Sequence, residues 1–253
     1  MGISSVSLPA HNEHTHTVIF LHGRSSSARE LSQQLWDTHD RRGETVQHIF
    51  PSVKWVFPQA DEVYSERFDQ NLREWFDIWD ARNPDERREP QIRGLKVVIP
   101  QLVSLIRHEA SSVGLQNIIL AGVSQGCATA IQTLLNFPVS ELRRGDNRLC
   151  AFIGFSGWMS LKEGSVQECR EVLGLQRSEP SDELYSNTPV FIGHCADDSV
   201  VSIRQGKRLR DTLVAYGMTV TWKEYPNGGH WVNSPLGLED IVDFLRSQGL
   251  AGP

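Results

Sequence analysis

The sequence predicts an α/β protein built on a mostly parallel, doubly wound sheet with helices on both faces. Three observations predict it. Short apolar runs of strand length recur along the chain, and several are continuous rather than alternating, as strands covered on both faces require. Segments with apolar residues at helical spacing separate those runs, which gives strand and helix in alternation. The chain has 253 residues, enough for a single domain, 1–253, with a sizeable core.

The elements follow in order. A short tail of about residues 1–15 precedes the first strand, 17–22 (TVIFLH). The second strand is 54–57 (KWVF), closed by Pro58, and a cap-like loop is expected over about 61–74. Leu95, Val98, Ile99, Leu102, Leu105 and Ile106 mark an amphipathic helix, with Pro100 predicting a kink or a late start. The third strand is 117–121 (NIILA), followed by a helix marked by Cys127, Ile131, Leu134 and Leu135 that stops near Pro138. Strands follow at 150–155, 189–194 and 219–225, with helices at 203–215 and 238–245. The polar stretches 80–93, with Pro84 and Pro90, and 174–187, with Pro180, read as loops.

Composition narrows the function. Lys and Arg number 25 against 31 Asp and Glu, a net charge of −6, which argues against nucleic acid as the main partner. No apolar run approaches the roughly 20 residues of a membrane-spanning helix, so no integral membrane association is expected. The N-terminus lacks the basic and apolar regions of a signal peptide. Cys127, Cys150, Cys169 and Cys195 form no C-x-x-C pair; their even number allows a disulfide framework, but Cys127, Cys150 and Cys195 sit in apolar elements as small hydrophobes, which predicts a reducing, cytoplasmic home. His11, His14 and His16 are loosely spaced with only Glu13 nearby, so no metal site is expected. Nucleotide-binding glycine motifs are absent, and no cofactor is predicted.

Gly122-Val123-Ser124-Gln125-Gly126 carries the chemistry. This G-x-S-x-G follows a strand directly and opens a helix, the setting of a nucleophile elbow. Such an elbow needs glycines because its turn is sharp, and it lifts the serine hydroxyl to a helix N-terminus that favours a developing anion. A serine needs a base. Only His194 and His230 follow it in the chain. His230 lies in a glycine-rich loop, Asn227-Gly228-Gly229-His230, between the last strand and the last helix, which suits a base; His194 ends a strand and reads as a turn residue. The acid that orients the base belongs after the preceding strand, where both Asp197 and Asp198 lie; spacing does not separate them. Gln125, following the nucleophile, supplies one main-chain N–H to an oxyanion hole.

VIFLHG (18–23), WFDI (75–78), GVSQG (122–126), FSGW (155–158), GHCADDSVV (193–201) and GGH (228–230) occur in one order along the chain. This set resembles the acyl-protein thioesterase, lysophospholipase and carboxylesterase group of small α/β hydrolases. The resemblance implies an α/β-hydrolase fold and a triad of Ser124, Asp198 and His230, with Ser199 where the family usually has proline. It also implies that the second oxyanion N–H belongs to Arg24, where relatives usually carry an apolar residue. An alternative use of Arg24 is a side chain at the pocket mouth for an acidic substrate.

The family's acyl-binding loop is commonly small and apolar, whereas 61–74 here carries Glu66, Arg67, Asp69, Arg73 and Glu74. Its apolar contribution is Tyr64, Phe68 and Leu72. With Trp75, Trp158 and Trp231 these are the candidate substrate contacts. The resulting expectation is a serine carboxylesterase of short to medium acyl chains. The alternative is an acyl-protein thioesterase or lysophospholipase acting on long chains of an acylated protein or lysolipid. An acyltransferase with the same triad and an inactive binding module are the remote alternatives.

Overall fold

The computed structural model describes residues 2–80, 82–161, 163–175 and 181–252. Its centre is a seven-stranded sheet. In chain order the strands are β1 (Ser5–Leu8), β2 (His16–Leu21), β3 (Val53–Pro58), β6 (Ile118–Val123), β7 (Ala151–Phe155), β8 (Val190–Cys195) and β9 (Val220–Tyr225). In space they run β1-β3-β2-β6-β7-β8-β9. Every pair is parallel except β1 with β3. The remaining strands, β4 (Glu62–Ser65) and β5 (Gln70–Arg73), pair with each other as a separate antiparallel ribbon.

The helices are α1 (Ala28–Trp36), α2 (Val46–Ile49), α3 (Arg88–Val113), α4 (Gln125–Leu135), α5 (Val166–Leu173), α6 (Asp182–Asn187), α7 (Ile203–Ala215) and α8 (Leu236–Ser247). Successive side chains of β2 point to opposite faces. Ile19 and Leu21 belong to one core with Leu102 of α3, Ile131 of α4 and Leu209 of α7. Val18 and Phe20 pack with Leu31 of α1 and Ile241 of α8. Two cores, one per face, are the reason the central strands read as unbroken apolar runs.

The structure departs from the sequence reading at five places, one of them the expected loop over about 61–74, which forms the β4–β5 ribbon. Within the expected tail, Ser5–Leu8 forms the edge strand β1, whose burial alternates; so short a half-exposed run carries little apolar signal. Pro100 neither starts nor ends α3, which runs through it from Arg88 to Val113. Pro100 and Lys96 are both exposed, so the carbonyl left without a helical donor faces water, which lowers the cost of the missing N–H. The loop expected over 80–93 gives way to α3 at Arg88, with Pro90 tolerated in the first helical turn, where N–H groups have no helical acceptor. The loop expected over 174–187 contains α6, capped by Ser181 accepting from Leu184 N–H; Pro180 lies outside the described residues.

Strand order then fixes where chemistry can occur. The carboxyl ends of β2, β6, β8 and β9 lead respectively into His22-Gly23-Arg24, Ser124, Asp197-Asp198 and the loop of His230. In an open parallel sheet this edge is where ligands bind.

Candidate active site

Ser124 stands between β6 and α4 with φ 55° and ψ −123°, a conformation unusual for any residue with a side chain. The glycines around it are required by close packing. A Cβ on Gly122 would overlap the backbone of Gly126 and Cys127, and one on Gly126 would overlap the carbonyls of Leu21 and His22. With both glycines in place α4 approaches β2, and Ser124 becomes the N-cap of α4 with its N–H bonded to the Phe155 carbonyl at 2.9 Å.

Asp198 is buried, and both its oxygens are occupied. Oδ1 accepts from the N–H groups of Val200 and Val201, each at 2.9 Å. Oδ2 lies 2.8 Å from Nδ1 of His230. Burial alone would raise the Asp198 carboxyl; hydrogen bonds from His194, His230 and the Val201 N–H outweigh it and hold the group well below the usual carboxylate range. Ionised Asp198 can only accept, so His230 donates through Nδ1 and its Nε2 is left as the basic nitrogen. His194 does more than end β8. Its Nε2 donates to the Val201 carbonyl at 2.9 Å and lies 3.4 Å from Asp198 Oδ2, closing the loop that carries the acid.

Ser124 and His230 line one cavity of about 420 Å³. Among the described residues the Arg24 and Gln125 main-chain N–H groups have no hydrogen-bond partner, as donors reserved for an oxyanion would. Two further contacts hold this region in place. His22 is buried and neutral: burial pushes it down to about 4 against the pull of the Gly23 carbonyl. Its Nδ1 lies 2.7 Å from that carbonyl, while Nε2 accepts from Ala60 N–H at 3.1 Å, so one tautomer satisfies both. The Gln125 side chain accepts from Trp75 N–H at 3.0 Å and donates to the Phe76 carbonyl at 2.7 Å, fixing the WFDI segment beside Ser124.

The candidate substrate contacts divide. Trp158 and Trp231 line the cavity with Ser124. Trp231 stacks on Phe20 with centroids 6.4 Å apart and donates its indole N–H to Thr38 at 3.0 Å. Tyr64, Phe68, Leu72 and Trp75 are not among the residues lining that cavity. The stretch 61–74 pairs with itself as the β4–β5 ribbon, which leaves Tyr64 54% and Phe68 45% exposed. Tyr64 and Trp75 instead border a second cavity of about 370 Å³ between the ribbon and α3. Trp75 is a buried structural residue whose indole donates to the His22 carbonyl at 2.8 Å. Phe68 touches the site indirectly, its ring lying 5.4 Å beneath the Arg24 guanidinium.

The sequence reading missed Leu31, Gln34, Ile78 and Val200, which complete the cavity wall. Ile78 and Val200 stood inside recognised motifs; Leu31 and Gln34 lie on the first turns of α1 with no local signal of proximity to Ser124. Glu74 was also unremarked as a buried acid. It is 1% exposed, and burial, then Asp77, push its carboxyl up to about 8 while Arg24 and Gln125 pull the other way.

Sequence comparison places this geometry in a family. The family model described as Phospholipase/Carboxylesterase matches residues 2–248. The chain belongs to that family. It is a serine hydrolase of the acyl-protein thioesterase and carboxylesterase group, acting on ester or thioester bonds. Acyl-protein thioesterase 1 of Yarrowia lipolytica is 27% identical over 246 residues, covering 96% of this chain and 94% of the relative. The protein of that name from Cryptococcus neoformans is 28% identical over 250 residues, covering 92% of each. Among crystal structures, acyl-protein thioesterase 2 of Zea mays superposes with a TM-score of 0.74 at 21% identity, over 98% of this chain and 99% of that one. Esterase PE8 superposes with a TM-score of 0.69 at 24% identity, over 98% and 99%. At these identities the structural likeness speaks to the fold. No helix among the described residues is long and apolar enough to cross a membrane.

Proposed function

We propose that this family member hydrolyses carboxylic esters of short to medium acyl chains through an acyl-enzyme on Ser124. The observation that carries the triad is the bond from His230 Nδ1 to buried, ionised Asp198, with His230 and Ser124 sharing one cavity. Ser124 Oγ attacks the acyl carbonyl and passes its proton to His230 Nε2. Asp198 holds the tautomer and stabilises the imidazolium. The N–H groups of Arg24 and Gln125 receive the tetrahedral oxyanion. Collapse of that intermediate expels the alcohol or thiol, which takes the proton from His230. Water, deprotonated by His230, then attacks the acyl-enzyme, and the carboxylic acid leaves. No metal or cofactor is used in this scheme.

The chain-length reading is supported by the cavity wall. Leu31, Ile78, Val123, Trp158, Val200 and Trp231 are apolar, but Arg24, Ser25, Ser26 and Gln34 share the lining. A long chain would have to desolvate some of those polar groups. A second reading, an acyl-protein thioesterase, is supported by the names of the relatives. A fluorophosphonate probe tests the mechanism: it labels Ser124 in the wild type, and labelling that persists in Ser124→Ala defeats the assignment.

A further inference from the structure

Arg24 meets the cavity with a side chain as well as an N–H. It is the one residue of fixed positive charge among the described residues lining the space around Ser124, and no Asp or Glu lines that space. Its guanidinium donates to the Ile78 carbonyl at 3.5 Å and lies over the Phe68 ring. Arg67 approaches the same ring from 5.6 Å but is paired with Asp80 at 3.5 Å. Arg24 has no such ion pair among the described residues. Glu74 is drawn down electrostatically by Arg24 while burial pushes its carboxyl up to about 8, and among the described residues no ion pair joins the two. A guanidinium has five N–H donors in a planar fork, and the Ile78 carbonyl takes only one. A partly desolvated cation with donors to spare and no counter-charge favours a bound anion.

We propose that the Arg24 side chain forms an anion subsite, so that the preferred substrates are esters or thioesters carrying a carboxylate within reach of its guanidinium. The inference rests on the ester-hydrolase reading above and names its substrate class. The carboxylate can stand on the acyl group or on the leaving group, and the two arms of the test separate these. The acyl arm compares the p-nitrophenyl monoester of adipic acid with p-nitrophenyl hexanoate. The leaving-group arm compares 4-(carboxymethyl)phenyl butyrate with its neutral methylamide.

In one arm the anionic ester is expected to exceed its neutral partner about tenfold in kcat/KM at low salt, the scale of one charge-assisted hydrogen bond. Arg24→Gln should bring that ratio to about one or below, Arg24→Lys should keep part of it, and added salt should lower it. Every variant retains the main-chain N–H. Should Arg24→Gln fail to fold, Arg24→Met keeps the aliphatic stem over Phe68 and serves in its place. No anionic preference in either arm, with neutral esters turned over by a Ser124-dependent route, overturns the subsite alone. A preference that survives the loss of the charge overturns it equally. If no ester is hydrolysed and the fluorophosphonate does not label Ser124, the parent reading falls and takes the subsite with it.

Discussion

Asp197 and Asp198 are neighbours in the chain but hold His230 by different parts. Asp198 bonds the ring, Oδ2 to Nδ1 at 2.8 Å. Asp197 bonds the loop, its oxygens accepting the N–H groups of Gly228 at 3.3 Å and Gly229 at 2.9 Å. The first contact sets the tautomer of the His230 ring; the second sets the position of the backbone that carries it.

The two aspartates therefore predict different losses. Asp198→Asn should leave the imidazole in the wrong tautomer, at a cost of about 10⁴ in kcat by comparison with the protease triad. Asp197→Asn keeps one acceptor oxygen and should cost less than about tenfold. Steady-state kinetics on p-nitrophenyl acetate decide this, and losses in the reverse order would move the acid to Asp197.

Ser124 predicts both an activity and a stability effect. Ser124→Ala should lower kcat by about 10⁶ while the melt stays cooperative. Because Ser124 sits at φ 55°, glycine should relieve strain that alanine keeps. Ser124→Gly should then be more stable than Ser124→Ala by about 1 kcal/mol, the strain relief exceeding glycine's added entropy cost. Urea denaturation of the two inactive variants measures the difference; a less stable glycine variant would mean the elbow stores no strain.

Chain length tests the substrate reading. Each buried methylene contributes about 0.8 kcal/mol, so a channel built for long chains raises kcat/KM steadily along a p-nitrophenyl ester series. With Arg24, Ser25, Ser26 and Gln34 in the wall, the maximum is expected at about C8 or shorter. A value still climbing at about C12 to C16, measured below the micelle concentration, would favour the thioesterase or lysophospholipase reading.

Glu74 predicts a pH-dependent stability. Its carboxyl is raised from 4.5 to about 8 in the folded protein. Between those values the native state keeps a proton that the unfolded chain has released. Stability from this group is thus full below 4.5, falls as pH rises, and is lost above about 8. Glu74→Gln should flatten the decline by a few kcal/mol and gain on the wild type as pH approaches 9. Urea melts from about pH 5 to 9 give the comparison, and parallel profiles would show that Glu74 ionises normally.

Legibility varied with the range of the interaction. The elbow was readable because strand, turn and helix are consecutive in the chain and the glycines are demanded within a few residues of Ser124. The aspartate pair was a candidate because it follows the apolar strand β8, and His230 because it lies in a glycine-rich loop ahead of the last helix. Pro100 misled because local propensity cannot see that its side of α3 faces water. The 61–74 stretch misled because its apolar residues, Tyr64, Phe68 and Leu72, suggested a pocket wall, whereas Tyr64 lies exposed on a strand of the ribbon and Phe68 exposed in its turn.

By itself the sequence determined the parallel α/β architecture, the elbow at Ser124 and the candidates for base and acid, because each rests on periodicity or turn chemistry within a short span. Tertiary structure alone decided the rest. It gave Asp198 the His230 ring and Asp197 the loop, put Leu31 and Gln34 into the wall, left Arg24 without a counter-charge there, and buried Glu74 where its proton is retained. The physical reason is that hydrogen-bond geometry, desolvation and charge pairing depend on which distant segments the sheet order β3-β2-β6-β7-β8-β9 brings to one edge, and side-chain periodicity carries no record of that order.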